Sequence, residues 1–180
     1  MIEETEADPR GLILAAKGGD RAAFGRLYSR YARMVHGIAL AHLRAQDADD
    51  LVQEAFVRAL KQLHTLRDVH AFGAWLASIA RHLIVDTVRH TRDRGEAADE
   101  PTSQDNPHAA LEAQRALDAI RQLPEAYRET LMLRLVEGMT GPEIAGRTGL
   151  TAASVRVNLH RGMKLLRARL EVAGPEVPHE

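Results

Sequence analysis

The stretch 140–170, TGPEIAGRTGLTAASVRVNLHRGMKLLRARL, constrains the chain most, because its caps and apolar spacing describe two helices joined by a tight turn. Thr140 and Glu143 have capping-box spacing: the hydroxyl accepts from the amide three residues on, and the carboxylate reaches back to the amide of the cap. Pro142 falls in the first turn, where its missing N–H has no intrahelical partner to lose. Gly149 supplies a left-handed stop, and Thr151 caps the second helix. In that helix Val155, Leu159, Met163, Leu166 and Leu170 recur at spacings of 4, 4, 3 and 4, forming one apolar stripe that faces inward. Arg156, Asn158, His160, Arg161 and Lys164 lie off the stripe. That is the layout of a helix that buries one side in its own domain and offers donors to a DNA groove. Other helical hairpins use the same caps and stops, so the segments upstream decide between them.

A chain of 180 residues holds one ordinary domain or two small ones. It has no cysteine, which excludes disulfides and thiolate metal sites. Its nine histidines are scattered without HExxH or similar spacing and read as surface or packing residues, so neither metal nor cofactor is expected. The acidic start MIEETEADPR has no apolar core and no run reaches membrane-spanning length, which predicts a soluble, cytoplasmic protein. The formal charge of -1 conceals an uneven distribution. Residues 10–92 carry 13 Lys/Arg against 7 Asp/Glu, and residues 113–170 carry 10 against 5. Between them, residues 93–112 hold one arginine and six carboxylates. Two basic blocks flank an acidic spacer, as two small domains on a linker would.

Helical spacing runs through 12–43, with Phe24, Leu27, Tyr28, Tyr31, Val35, Ile38 and Leu43 as core, after a short helix that ends before Gly18-Gly19-Asp20. In QDADDLVQEAFVRA (46–59) the aspartates suit a helix N-terminus. Leu51 and Ala55 point to the core, leaving Asp50, Gln53, Glu54 and Val57 on the other face. That acidic face suits a positively charged protein surface, although solvation of a helix start explains it as well. Residues 64–70 read as a loop. In the helix after it, Phe72, Trp75, Leu76, Ile79 and Leu83 make an inner stripe, while Arg81, Val85, Arg89 and Arg92 share another face. Aromatics beside an arginine ladder suit single-stranded DNA; for Trp75 core packing is an equal reading. The stretch 93–107, DRGEAADEPTSQDNP, is a flexible linker by composition. Helical pattern resumes over 110–123, breaks at Pro124 and continues to Gly138.

Four segments in this order, DADDLVQEAFVRAL (47–60), FGAWLASIARHLIVDTVR (72–89), LPEAYRETLMLRLVEGMTGPEIA (123–145) and SVRVNLHRGMKLLR (154–167), make the chain resemble bacterial RNA polymerase sigma factors of the extracytoplasmic-function (ECF) class. The resemblance implies an all-α protein of two small helical domains joined by a flexible acidic linker. Region 2 would span 10–92, the linker 93–109, and region 4, with the helix–turn–helix, 110–172. It implies that Asp50, Gln53, Glu54 and Val57 dock on the β′ clamp of RNA polymerase core, and that region 4 meets the β flap. It implies that Arg67, Phe72, Trp75, Arg81, His82 and Arg89 serve the minus-10 element, the 64–71 loop taking an unstacked base. Arg156, Val157, Asn158, His160, Arg161 and Lys164 would serve the minus-35 element. Promoter DNA and an anti-sigma factor are the remaining partners implied; no small-molecule substrate, cofactor or catalytic residue is. Two positions depart from the family's usual pattern: His82 stands where Asn is common, and Gly162 where a small Ala is, at about 1 kcal/mol of helix propensity.

A helix–turn–helix regulator acting without polymerase would explain 140–170, but it leaves the DLVQE face and the Arg/Trp helix without a purpose. A helical enzyme would need convergent acid/base or ligand residues, and Asp47, Asp49 and Asp50 have no second acidic motif to partner them. Binding of core polymerase separates the first reading from both.

Overall fold

The computed structural model describes residues 9–94 and 107–172, and all regular structure among them is helical. The first half contains α1 (Pro9–Lys17), α2 (Arg21–Leu40), α3 (Ala45–Gln62) and α4 (Phe72–Arg94); the second contains α5 (Pro107–Arg121), α6 (Glu125–Leu135), α7 (Gly141–Thr148) and α8 (Ala152–Val172). Most of the expected linker lies outside the described residues. Within it, α4 runs on through Arg94 and α5 opens at Pro107, whose fixed φ suits a first helical position.

Asp20 starts α2 by accepting from the amides of Ala22 (2.8 Å) and Ala23 (3.1 Å), after a turn in which Gly19 takes φ 97°. Leu27, Met34, Val35 and Ile38 then go to the core at helical spacing. Helix α3 begins at Ala45, ahead of the aspartates and without a side-chain cap; Arg44 and Asp47 pair across its first turn at 2.9 Å. It buries Val52 and Phe56 as well as Leu51 and Ala55. The segment expected as a loop holds two 3₁₀ turns, Leu63–Thr65 and Val69–Ala71. Lys17 Nζ ties it to α1 by donating to the Leu66 carbonyl at 2.6 Å, and Asp68 accepts from the His70 amide.

In the second half the expected hairpin forms with its caps. Thr140 and Glu143 exchange both capping-box bonds, Gly149 takes φ 77°, and Thr151 Oγ1 accepts from the Ser154 amide at 3.1 Å. The capping bonds from Thr140, backbone first, hold the Glu143 carboxyl below its ordinary pKa. Gly162 lets α8 close on α6: a Cβ there would lie 3.0 Å from Leu131 Cδ1 and 3.2 Å from Tyr127 Cβ. Helix α6 stops at Leu135, earlier than the apolar run through Val136 suggested, and both residues are exposed.

The two halves share one apolar core. Five successive residues of α6, Glu129 to Leu133, are buried, because α8 packs on one side and α2 on the other. A helix covered on both sides loses the single-stripe signature.

Candidate functional site

The α3 face forms as spaced. Asp50, Gln53, Glu54 and Val57 are all exposed, and Val57, at 51% exposure, is followed one turn on by Leu60, also at 51%. Two apolar side chains beyond carboxylates make a surface with an electrostatic end and a greasy end. Leu60 was not singled out from the sequence, although its spacing of three from Val57 places it there. Glu54 is paired with Arg58 at 2.9 Å, an exposed i,i+4 contact of little worth to stability.

On α8, Arg156, Val157, His160, Arg161 and Lys164 face solvent. Asn158 is half-buried, and its Nδ2 donates to Thr130 Oγ1 at 3.4 Å, so it braces α8 against α6.

The α4 residues are divided. Arg67, His82 and Arg89 are exposed. Phe72 is buried, as its place on the inner stripe predicts and as the minus-10 role implied by the resemblance does not: it is 1% exposed, with its ring 5.0 Å from that of Tyr31 and 5.9 Å from that of Trp75, because it opens α4 on the side that packs against α2. It is closed off from any strand in this arrangement, while Trp75 is half-buried. Arg81 is half-buried and engaged. Its Nε donates to Glu129 Oε1 at 3.0 Å and its Nη2 to Oε2 at 2.7 Å, the bidentate fork geometry. Arg81, Val85 and Arg89 nevertheless line one groove, of about 440 Å³, along α4, and His42 and Arg128 border it.

Two carboxylates from the second half organise the seam, and neither stood out in the sequence. Burial pushes the Glu129 carboxyl up, but hydrogen bonds and positive charge from His42 and Arg81 outweigh it and hold the group below its ordinary pKa. His42, Glu125 and Glu129 place ligand atoms within 4.8 Å of one another. The Arg81 guanidinium already occupies Glu129, so the positive charge at this cluster comes from the chain itself. Glu137 accepts from His36 Nδ1 at 2.6 Å, with Arg33 Nε 3.7 Å away.

The Glu137 hydrogen bond raises the pKa of His36 above its ordinary value; burial lowers it by less, and the charges of Glu137 and of Asp49, 3.5 Å from Nε2, add to the rise. Arg33 adds a cation on the same carboxylate, its Nε 3.7 Å from Glu137 Oε2. A raised histidine pKa contributes stability that is complete below the unfolded value of about 6.5 and is lost as pH climbs through the folded one. The wild type should therefore exceed His36→Gln in urea resistance at about pH 6, with the gap narrowing by about pH 8. A gap that is constant, or that widens with pH, would contradict the pairing.

With the surfaces in place, comparison with known proteins identifies the chain. Residues 27–94 match Sigma-70 region 2, and residues 113–166 match Sigma-70, region 4. The ECF RNA polymerase sigma factor BldN of Streptomyces coelicolor is 33% identical over 173 residues, a match covering 88% of this chain and 64% of that one. The RNA polymerase sigma factor CnrH of Cupriavidus metallidurans is 31% identical over 184 residues, covering 90% of this chain and 94% of that one. The chain thus spans just under two thirds of the length of BldN and nearly all of CnrH. The structure of CnrH in complex with the cytosolic domain of CnrY superimposes with a TM-score of 0.65 at 27% identity, covering 93% of this chain and 100% of that one. The chain belongs to the ECF class of the sigma-70 family of RNA polymerase sigma factors.

Proposed function

We propose that the protein is an alternative sigma factor that binds RNA polymerase core and directs promoter-specific initiation. The observation that carries this reading is the face Asp50, Gln53, Glu54 and Val57 on α3, which is exposed among the described residues and has an apolar end that solvation of a helix start does not explain. Residues 10–92 would dock on the β′ clamp and serve the minus-10 element, and residues 110–172 the minus-35 element and β flap. Nothing in this task calls for a nucleophile or a metal: the chain positions and opens DNA, and the polymerase does the chemistry. Among the described residues no helix is long and apolar enough to cross a membrane. We assign the protein to the cytoplasm, where polymerase and promoter are. The CnrH structure contains the cytosolic domain of CnrY, and a protein partner of the anti-sigma kind is proposed for this chain. Titration of the labelled chain with purified bacterial core polymerase, followed by fluorescence anisotropy, should give saturable binding; a flat titration would overturn the reading.

Arg161 is exposed on α8, and the proposal gives it base edges in the major groove to read. Arg161→Ala should weaken binding to a selected minus-35 duplex by about 1–3 kcal/mol while scarcely changing binding to unrelated duplex. An equal loss on every duplex in an electrophoretic mobility series would make it a phosphate contact instead.

A further inference from the structure

The seam between the halves is built more tightly than incidental packing requires, and it engages Arg81, one of the arginines that the resemblance assigns to the minus-10 strand. A Cβ on Gly73 of α4 would lie 2.1 Å from the Arg147 carbonyl oxygen of α7, and one on Gly149 2.7 Å from Ala74 Cβ. A Cβ on Gly37 of α2 would lie 2.7 Å from Leu133 Cδ2 and 2.9 Å from Glu137 Cγ, and both neighbours belong to the other half. At these positions a side chain would separate the halves or force a neighbour aside. Arg121 of α5 adds a polar anchor by donating from Nε to the Leu40 carbonyl (3.1 Å) and from Nη2 to the Leu43 carbonyl (2.8 Å), beyond the end of α2.

Polar pairing follows one pattern. Two second-half glutamates each grip one arginine and one histidine of the first half: Glu129 meets Arg81 and His42, the latter at 3.6 Å, and Glu137 meets His36 and Arg33. A guanidinium fork takes two acceptor oxygens from a carboxylate or from a phosphate with the same geometry. Glu129 is 9% exposed while the Arg81 side chain is 39% exposed, so the carboxylate is fixed in the seam and the guanidinium is reached from the groove along α4. The exposed row of α8, Arg156, Val157, His160, Arg161 and Lys164, takes no part in the seam.

We infer that α6 is an internal competitor for the promoter strand: the Glu129 carboxylate occupies on Arg81 the place of a backbone phosphate, and Glu129 with Glu137 latches region 4 over the strand-holding face of region 2 while the minus-35 row stays open. This rests on the sigma-factor reading. The free chain is then ready to meet minus-35 duplex but closed to melted minus-10 DNA. Parting of the halves on core polymerase releases Arg81 to the strand.

The chain lacks cysteine, so two spin labels can be placed uniquely, at Leu14→Cys on α1 and Leu165→Cys on α8, both exposed. Double electron–electron resonance on the full chain should give one narrow distance that broadens and lengthens when core polymerase is added. Two unlatched forms should show the broad distribution without polymerase: Glu129→Gln with Glu137→Gln, which keeps shape and removes charge, and Gly37→Leu, which keeps the charges and wedges the seam. Both should bind fluorescein-labelled oligothymidylate about tenfold more tightly than the wild type, with circular dichroism unchanged. A broad distribution in the free wild type, or unlatched forms as narrow as the wild type, would overturn the latch. Failure of the wild type to bind core polymerase would overturn the sigma-factor reading, and the distances in the free chain would still be measured independently.

Discussion

Phe72→Ala should cost about 3–5 kcal/mol of stability, a large fraction of what a small protein has. The ring is 1% exposed and sits between Tyr31 and Trp75, at centroid distances of 5.0 and 5.9 Å. Such edge-on and tilted contacts add to the area term, and removing the ring leaves a cavity under the first turn of α4, which α2 cannot fill. Urea unfolding followed by circular dichroism measures this directly. A variant as stable as the wild type that loses only strand binding would return Phe72 to the role the family resemblance implies. Trp75, half-buried at the edge of the same cluster, should lose less when truncated.

The second large effect concerns partner binding. Asp50→Lys with Glu54→Lys reverses two charges on the exposed face of α3 without touching its buried side. Like-charge juxtaposition across an interface costs several kcal/mol. If the face docks on a positively charged polymerase surface, affinity for core should fall about a hundredfold or more, and more steeply at low salt than at high salt. Binding of the same variant to minus-35 duplex should be unchanged, because α8 lies in the other half. Unchanged core affinity would remove α3 from the docking surface.

The contrast between these variants reflects what a linear sequence can encode. Caps and stops act within four residues, so Thr140, Glu143, Gly149 and Thr151 were legible and appear with the expected bonds. The exposed faces of α3 and α8 were legible because period 3.6 separates them from a buried stripe. Phe72 was legible as core from its place on the inner stripe; its minus-10 role came from the resemblance alone, and the partner that covers its ring, Tyr31, is far away in sequence. The latch was invisible for the same reason. Arg81 and Glu129 are 48 residues apart and His36 and Glu137 are 101 apart, and no local rule links such pairs. Helix α6 hid its role further, since burial on two sides erased its stripe. The available clue was compositional: two glutamates among apolar residues in a basic block, each in need of a cation.

Reconstituted transcription tests the central claim most directly: purified core polymerase, with and without this chain, on a pool of genomic fragments, with the run-off products sequenced. The sigma-factor account predicts products that begin at fixed points on a small subset of fragments, only when the chain is present, with a shared pair of elements upstream. Products no different from those of core alone would contradict it.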